Sequence, residues 1–457
     1  WVCYASIGGS IFMFFFNSSM MLLPWLAYRK TKKAFGLDKA LLAFICLWLA
    51  FEYLHLNWQI TWPWLTLGNV FAKHNSIIQW YEYTGAMGGT LWVLLINVFA
   101  FLAYKKRNWI SIAKPAAILI IPIIISFIIR DYRSKEANNA EPLETLIIQP
   151  NVDPYKKFDQ GEEVKNLRAM LTLVDEKITP NTKYILMPET AIVEYIDEDN
   201  PLAFESMYLL KKFTQNHPQT HIITGASTYN FYGRFEKPEP TARMADNGMY
   251  YESYNTALEI DSAGSIDYYH KSKLVPGVEK MPYPKLFGFL EYFSLDMGGI
   301  AGSLGSDKEP KVFDASYKPE IAPLICYESV FPGFVAGFVR SGADILAIIT
   351  NDGWWRDTDG YKQHMYYATL RAIENRREVI RSANTGVSGH INTLGEITTK
   401  TDWWKAEALK VQTKSSDIST FYSRQGDFLG RYASFIGLFM FFGAFVKLKT
   451  AKNASIN

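Results

Sequence analysis

Charge is nearly absent from five stretches of the chain and dense between the fourth and the fifth. Residues 2–27, 85–104, 115–129 and 432–446 hold no charged side chain, and 40–56 carries only Glu52 and His55 near its end. A helix needs about 20 apolar residues to cross a bilayer. The pattern therefore predicts five transmembrane helices, with buried core helices as the alternative for the two short stretches, 115–129 and 432–446. Residues 131–427 follow another rhythm. Short β-rich runs such as Thr145-Leu-Ile-Ile-Gln149, Tyr184-Ile-Leu-Met187, His221-Ile-Ile-Thr224 and Asp344-Ile-Leu-Ala-Ile-Ile-Thr350 look like buried strands, most of them ending in a polar residue. Helical stretches at 162–177 and 363–375 lie among them, so the region reads as one α/β domain. The expected organisation is a helical membrane domain over 1–130, an α/β domain over 131–427, and a last helix with a tail over 428–457.

Basic residues orient this layout. Arg29, Lys30, Lys32 and Lys33 follow the first stretch, Lys105, Lys106 and Arg107 the third, and Lys447, Lys449 and Lys452 the fifth. The loop between the second and third offers only Lys73. Positive-inside counting puts the three basic clusters in the cytoplasm and 131–427 on the outer side. The chain opens on Trp1 inside an apolar stretch, with no initiator Met and no basic leader, so further N-terminal sequence is expected.

A net charge of +2 over 457 residues gives no reason to expect nucleic acid. Two of the three cysteines, Cys3 and Cys46, lie in apolar stretches, and the seven histidines never fall into HExxH spacing, so neither a disulfide framework nor a metal is expected. Cys326 remains, at the end of Ile321-Ala-Pro-Leu-Ile-Cys326. Taken alone it is as readily inert core as working thiol. Glu189, after the strand-like Ile185-Leu-Met-Pro, and Lys271, in Tyr268-Tyr-His-Lys, would each alone be surface groups. Together the three supply what acyl transfer needs: a nucleophile, a proton shuttle, and a cation facing a developing oxyanion. The Tyr327 N–H adds a second oxyanion donor. A lysine beside the thiol is expected to lower its pKa.

The order Pro188-Glu-Thr190, then Tyr269-His-Lys-Ser-Lys-Leu-Val-Pro276, then Ile325-Cys-Tyr-Glu328 resembles the Glu-Lys-Cys triad of the nitrilase superfamily, whose fold is an αββα sandwich. Nearly the whole chain is similar to the membrane-bound branch of that superfamily, the apolipoprotein N-acyltransferases. Trp62-Pro-Trp-Leu-Thr-Leu-Gly68 looks like its outer Pro-Trp-Leu loop, and Asn351-Asp-Gly-Trp-Trp355 resembles its Asn-Asp-x-Trp strand end. The stretch Gln363-His-Met through Arg381-Ser-Ala-Asn-Thr-Gly386 looks like its closing helix and strand.

The resemblance implies Glu189 as general base, Lys271 as oxyanion-stabilising cation and Cys326 as nucleophile, with Glu279, Tyr327, Glu328 and Trp64 as supporting or substrate-binding positions. It implies a phospholipid acyl donor, a diacylated apolipoprotein acceptor, no cofactor, and a monomer in the bacterial inner membrane with its catalytic domain outside. The family usually has eight spans, so about three would be missing here. One departure stands out. Many members carry Pro-Phe-Gly-Glu after the lysine motif, and this chain has Pro276-Gly-Val-Glu279, which keeps the glutamate but predicts an altered loop. The apolar segment Leu286-Phe-Gly-Phe-Leu-Glu-Tyr-Phe-Ser294 is either packed core or a lid dipping into lipid. A membrane-tethered amidase using the same triad with water as acceptor is the alternative activity, and a non-catalytic scaffold is a second.

Overall fold

The computed structural model of the protein describes residues 7–136, 141–159, 161–233, 239–287, 303–313 and 319–454. Among these, five helices are long and apolar enough to cross a membrane: Ile7–Phe35, Leu37–Asn57, Tyr81–Lys106, Ala113–Glu136 and Phe428–Ala454. Both short apolar stretches lie inside longer helices. Phe435 and Phe439 of the last helix are 73% and 72% exposed, and Ile128 of the fourth is 64% exposed. A core helix hides such side chains; these present them outward as a lipid-facing helix does, so the buried-core alternative fails for both.

The third helix starts four residues before the predicted Gly85, and Gly85 itself (φ 63°) forms a kink between two helical pieces. A left-handed φ suits glycine, and a side chain there would also strike the Tyr422 ring. The Glu374 carboxylate accepts the Ala86 N–H at 2.8 Å, so it caps the second piece from outside the helix.

Two sheets form the rest. The first contains β1 (Pro142–Gln149), β2 (Thr182–Leu186), β3 (Ile192–Asp197), β4 (His221–Gly233), β5 (Arg243–Met244), β6 (Tyr250–Ile260) and β7 (Ile266–His270). β1, β2 and β4 run parallel, while β6 pairs antiparallel with both β4 and β7. The second contains β8 (Ile321–Ile325), β9 (Ile345–Thr350), β10 (Glu378–Ala383), β11 (Gly389–Ile391) and β12 (Ile397–Lys400), in the order β12-β11-β10-β9-β8. β13 (Glu407–Lys414) returns to pair antiparallel with β1.

The two-residue period of the strands sorts their side chains. Ile147, Leu186 and Ile223 face the second sheet and pack with Leu324, Ile348 and Val379. Leu146, Ile185 and Ile222 point the other way, onto the helices Glu163–Asp175 and Glu205–Asn216. Helices Pro332–Arg340 and Asp359–Asn375 cover the far side of the second sheet. The architecture is thus the expected αββα sandwich, carried between long apolar helices.

Helix Asp359–Asn375 joins the two parts. Met365, Ala368 and Ala372 face the sandwich core, whereas Tyr367, Leu370 and Ile373 pack with Ala72, Ile78, Tyr81 and Ala86 of the helical part. Spacings of three and four put the two sets on opposite faces of one helix. The sandwich therefore shares an apolar layer with the helices.

Candidate active site

Strand ends bring the three expected residues together, as they do in open α/β sheets. Glu189 lies just past β2, Lys271 directly follows β7, and Cys326 directly follows β8. Lys271, 1% exposed, donates from Nζ to Glu189 Oε1 at 3.1 Å and to Glu279 Oε1 at 2.8 Å. Glu279 thus reaches the lysine despite the altered Pro276-Gly-Val-Glu loop. Gly277 turns at φ 80°, and Glu279 Oε2 accepts the Val275 N–H at 2.8 Å.

Asn255, a residue of β6 that sequence reasoning missed, donates from Nδ2 to both carboxylates, at 2.8 and 3.0 Å. Lys157, also missed, is buried and donates to the carbonyls of Glu189 and Thr190 and to the Thr190 hydroxyl. Thr190 adopts φ 45°, and the loop lies so close to β4 that a side chain at Gly225 would collide with the Glu189 backbone.

Electrostatics follow from this packing. Burial disfavours the Glu189 carboxylate, but Lys271, the Asn255 amide and Lys157 outweigh it and hold its pKa below the usual range. Burial likewise opposes the Lys271 charge, and Glu189, Glu279 and Cys326 overcome it, so the lysine stays firmly protonated. Burial pushes Lys157 down to about 8, and the nearby Glu189 charge only partly opposes it. Cys326 corrects the sequence expectation. Burial first, then Glu189, raise its thiol pKa, and Lys271 only partly offsets them. The lysine's charge is already shared between two carboxylates, so the resting sulfur is a neutral thiol.

Cys326 has φ 50°, a conformation costly for a residue with a side chain. It opens the 3-10 turn Cys326–Val330. Its carbonyl is clamped: Ser329 Oγ donates to it at 2.8 Å and His364 Nε2 lies 3.1 Å away. His364 Nε2 is also 2.9 Å from Ser329 Oγ, and its Nδ1 is 2.9 Å from Asp352 Oδ1. Arg381 donates to Asp352 Oδ2 at 2.6 Å. Burial works against the Asp352 charge, but Arg381 and His364 prevail and hold it down to about 2. Ser329, His364, Asp352 and Arg381 are all buried. The Asn351-Asp and Gln363-His stretches had signalled this part of the chain without assigning it a task.

The other expected residues surround this core. Glu328 touches the backbone rather than the thiol. It accepts from Ser272 N (2.7 Å), Lys273 N (3.1 Å), Ile325 N (2.8 Å) and Tyr269 OH (2.6 Å), which ties the lysine loop to the cysteine turn. Burial lifts its pKa to about 7. Tyr327 turns its hydroxyl away, to Thr61 O at 3.1 Å. Trp64 packs on Tyr367, Trp355 and His364, with ring centroids at 5.3, 5.8 and 6.3 Å. A loop between two apolar helices thereby leans on the histidine that clamps Cys326. Glu52 accepts from Trp48 Nε1, Leu67 N and Thr90 Oγ1 at 3.1, 3.0 and 2.7 Å, which anchors that loop. Residues 288–294 of the apolar segment lie outside the described residues.

An acid, an ammonium and a sulfur thus gather past the ends of three strands. The carbon-nitrogen hydrolase family profile matches residues 147–422, and the chain belongs to that family. Residues 1–99 match the N-terminal domain of apolipoprotein N-acyltransferases. The apolipoprotein N-acyltransferase of Chlorobaculum tepidum is 30% identical over 440 residues, covering 93% of this chain and 81% of that protein. Its counterpart in Rickettsia prowazekii is 29% identical over 403 residues, covering 87% and 73%. The chain is a membrane protein of the apolipoprotein N-acyltransferase family.

Proposed function

We propose that the protein moves a fatty acyl chain from a phospholipid to the N-terminal amine of a diacylglyceryl-cysteine apolipoprotein, through a thioester on Cys326. The observation that carries this reading is the convergence of Glu189 and Lys271 on a left-handed Cys326, beside a loop that emerges from apolar helices. Cys326 attacks the acyl ester carbonyl as Glu189 takes the thiol proton. The oxyanion faces Lys271, which has three N–H groups and commits two of them to Glu189 and Glu279. The Tyr327 N–H, in the first turn of a 3-10 segment, has no partner within that turn and serves as the second donor. The C–O bond to glycerol then breaks, and Glu189 returns its proton to the departing alkoxide.

In the second half the free amine attacks the thioester, Glu189 accepts the amine proton, and the C–S bond breaks to give an amide and the thiol. Because the resting thiol is neutral, proton loss is coupled to attack. A neutral thiol also resists oxidants, which suits a site outside the cytoplasm. Packing supports that orientation. Lys447 lies 5.1 Å from the Phe35 ring and Lys30 lies 5.7 Å from the Phe441 ring, so two of the basic clusters meet at the helix ends away from the sandwich. The bilayer in question is the bacterial inner membrane, the sandwich lies on its outer side, and the chain works as a monomer without cofactor.

Incubation with acyl-labelled phospholipid and a diacylated lipopeptide tests the reading. The label is expected as a thioester on Cys326 and then as an amide on the peptide, with both lost in Cys326→Ala. Label released to water with none on the amine favours the tethered amidase. Transfer persisting in Cys326→Ala overturns the assignment.

A further inference from the structure

A cleft of about 440 Å³ opens behind the cysteine turn, and neither Glu189, Lys271, Glu279 nor Cys326 lines it. Glu328 stands between the two sites, holding Lys273 N on one side and Ile325 N on the other. The apolar part of the lining comes from Tyr53 and Leu56 at the end of helix Leu37–Asn57 and from Phe331 and Phe334, while most of the exposed lining is polar. Its ionisable lining is Lys273, Lys308, Glu309, Arg340, Asp427 and Arg431.

Counter-charges are scarce there. The Lys273 ammonium lies over the Phe331 and Phe334 rings, at 5.6 and 5.2 Å, and no carboxylate pairs with it among the described residues. Arg340 donates to Ser423 O at 2.8 Å and Arg431 to Gln425 O at 2.7 Å, both carbonyls, and neither makes an ion pair among those residues. Both guanidiniums border Gly426, within 4 Å of where its side chain would start. Asp427 already accepts the Tyr422 hydroxyl at 2.6 Å. Lys308 has only a 4.0 Å contact, to Glu239. Four cations therefore face two carboxylates in a cleft that Phe331, Phe334 and Leu56 also line. This end of the helices is also the one that positive-inside patterning leaves poor in cations.

We propose that the cleft binds the phosphate headgroup of a net-anionic phospholipid from the outer leaflet, at a site distinct from the acyl donor's. Guanidinium groups match phosphate oxygens in pairs, while Phe331, Phe334 and Leu56 take the start of the lipid's apolar part. The inference rests on the orientation given under the proposed function. It does not rest on the thioester.

The test uses the full chain carrying Cys326→Ala, so that no lipid is consumed, in detergent micelles with phosphatidylglycerol or phosphatidylcholine. Retained lipid is counted by native mass spectrometry. The expected result is one phosphatidylglycerol held about ten-fold more tightly than phosphatidylcholine, with that preference lost in Lys273→Gln/Arg431→Gln. Lys273→Arg restores it in the Arg431 background. Arg340→Gln, a surface change, gives a partial loss even if the double variant folds poorly. Equal retention of both lipids, variants without effect, or displacement by inorganic phosphate at matched concentration overturns the proposal. Acyl transfer by the wild-type chain is scored separately, so failure here leaves that reading standing.

Discussion

Two buried charge clusters in this chain are near mirror images. At the strand ends one cation, Lys271, sits between two carboxylates, Glu189 and Glu279. Where the sandwich meets the helices, one carboxylate, Glu82, sits between two cations, Arg133 at 3.0 Å and Arg376 at 2.6 Å. Burial and ion pairing are alike, yet the two can do different things. Arg376 is fully committed, donating also to Gln79 Oε1, Gln79 O and Thr393 O. Arg133 takes both Glu82 oxygens. That cluster has no group to spare and acts as a brace. Lys271 keeps one N–H beyond its two carboxylates, and a thiol on strained backbone stands beside it. The difference teaches that a buried ion cluster becomes chemistry through what it leaves unspent.

Substitution of the two central cations tests the contrast most strongly. Lys271→Gln is expected to cut acyl transfer on the order of 100–1,000-fold while the protein still melts cooperatively. Arg376→Gln should do the reverse, with a loss of about 3–5 kcal/mol in stability and near-normal turnover per folded molecule. Exchange of those two outcomes would erase the distinction. Next in size is His364→Ala, which removes one of the two clamps on the Cys326 carbonyl without touching the thiol. It should lower kcat on the order of 10–100-fold with KM unchanged, and a change in KM alone would speak against a positioning task.

The raised thiol pKa is tested by alkylation. Iodoacetamide should modify Cys326 slowly at neutral pH and ever faster into the alkaline range. Glu189→Gln, which removes the repelling charge, should speed alkylation at a given pH by a few-fold even as acyl transfer is lost. An unchanged or slower rate would contradict the assigned cause.

The smallest effect concerns stability. Burial opposes the charge on His270, but Asp307 and Glu198 hold its pKa up to about 9 from an ordinary 6.5. A raised pKa contributes stability fully below the unfolded value and loses it as pH climbs through the folded one. Wild type should therefore lose a few degrees of melting temperature between pH 6.5 and 9 relative to His270→Gln. Comparison with that variant removes the opposite contribution of Lys157, which is lowered to about 8 and destabilises below it.

The sandwich was legible because its strands carry their own signature, and the main site residues because each follows such a run directly. Lys271 and Glu189 meet although 82 positions separate them, and only strand order makes that possible. Asn255 was not legible, since an asparagine inside β6 reveals its target only once β6 is paired with β7. His364 was hidden for a related reason: its partners come from two separate turns, Ser329 and the Cys326 carbonyl from one and Asp352 from the other. The thiol's direction was misjudged because the lysine was read as a free charge, and its second carboxylate, Glu279, was known only by resemblance. The Gly85 kink escaped as well, since an uncharged run looks continuous until Glu374 and Tyr422 arrive from elsewhere.

Helix Asp359–Asn375 has a practical corollary. A version cut down to the αββα part for expression in water would bare Tyr367, Leu370 and Ile373, along with the aromatic floor beneath Trp64. Such a greasy scar invites clumping, and it would also withdraw the ring that leans on His364. The outermost layer of the sandwich is finished by the membrane part itself.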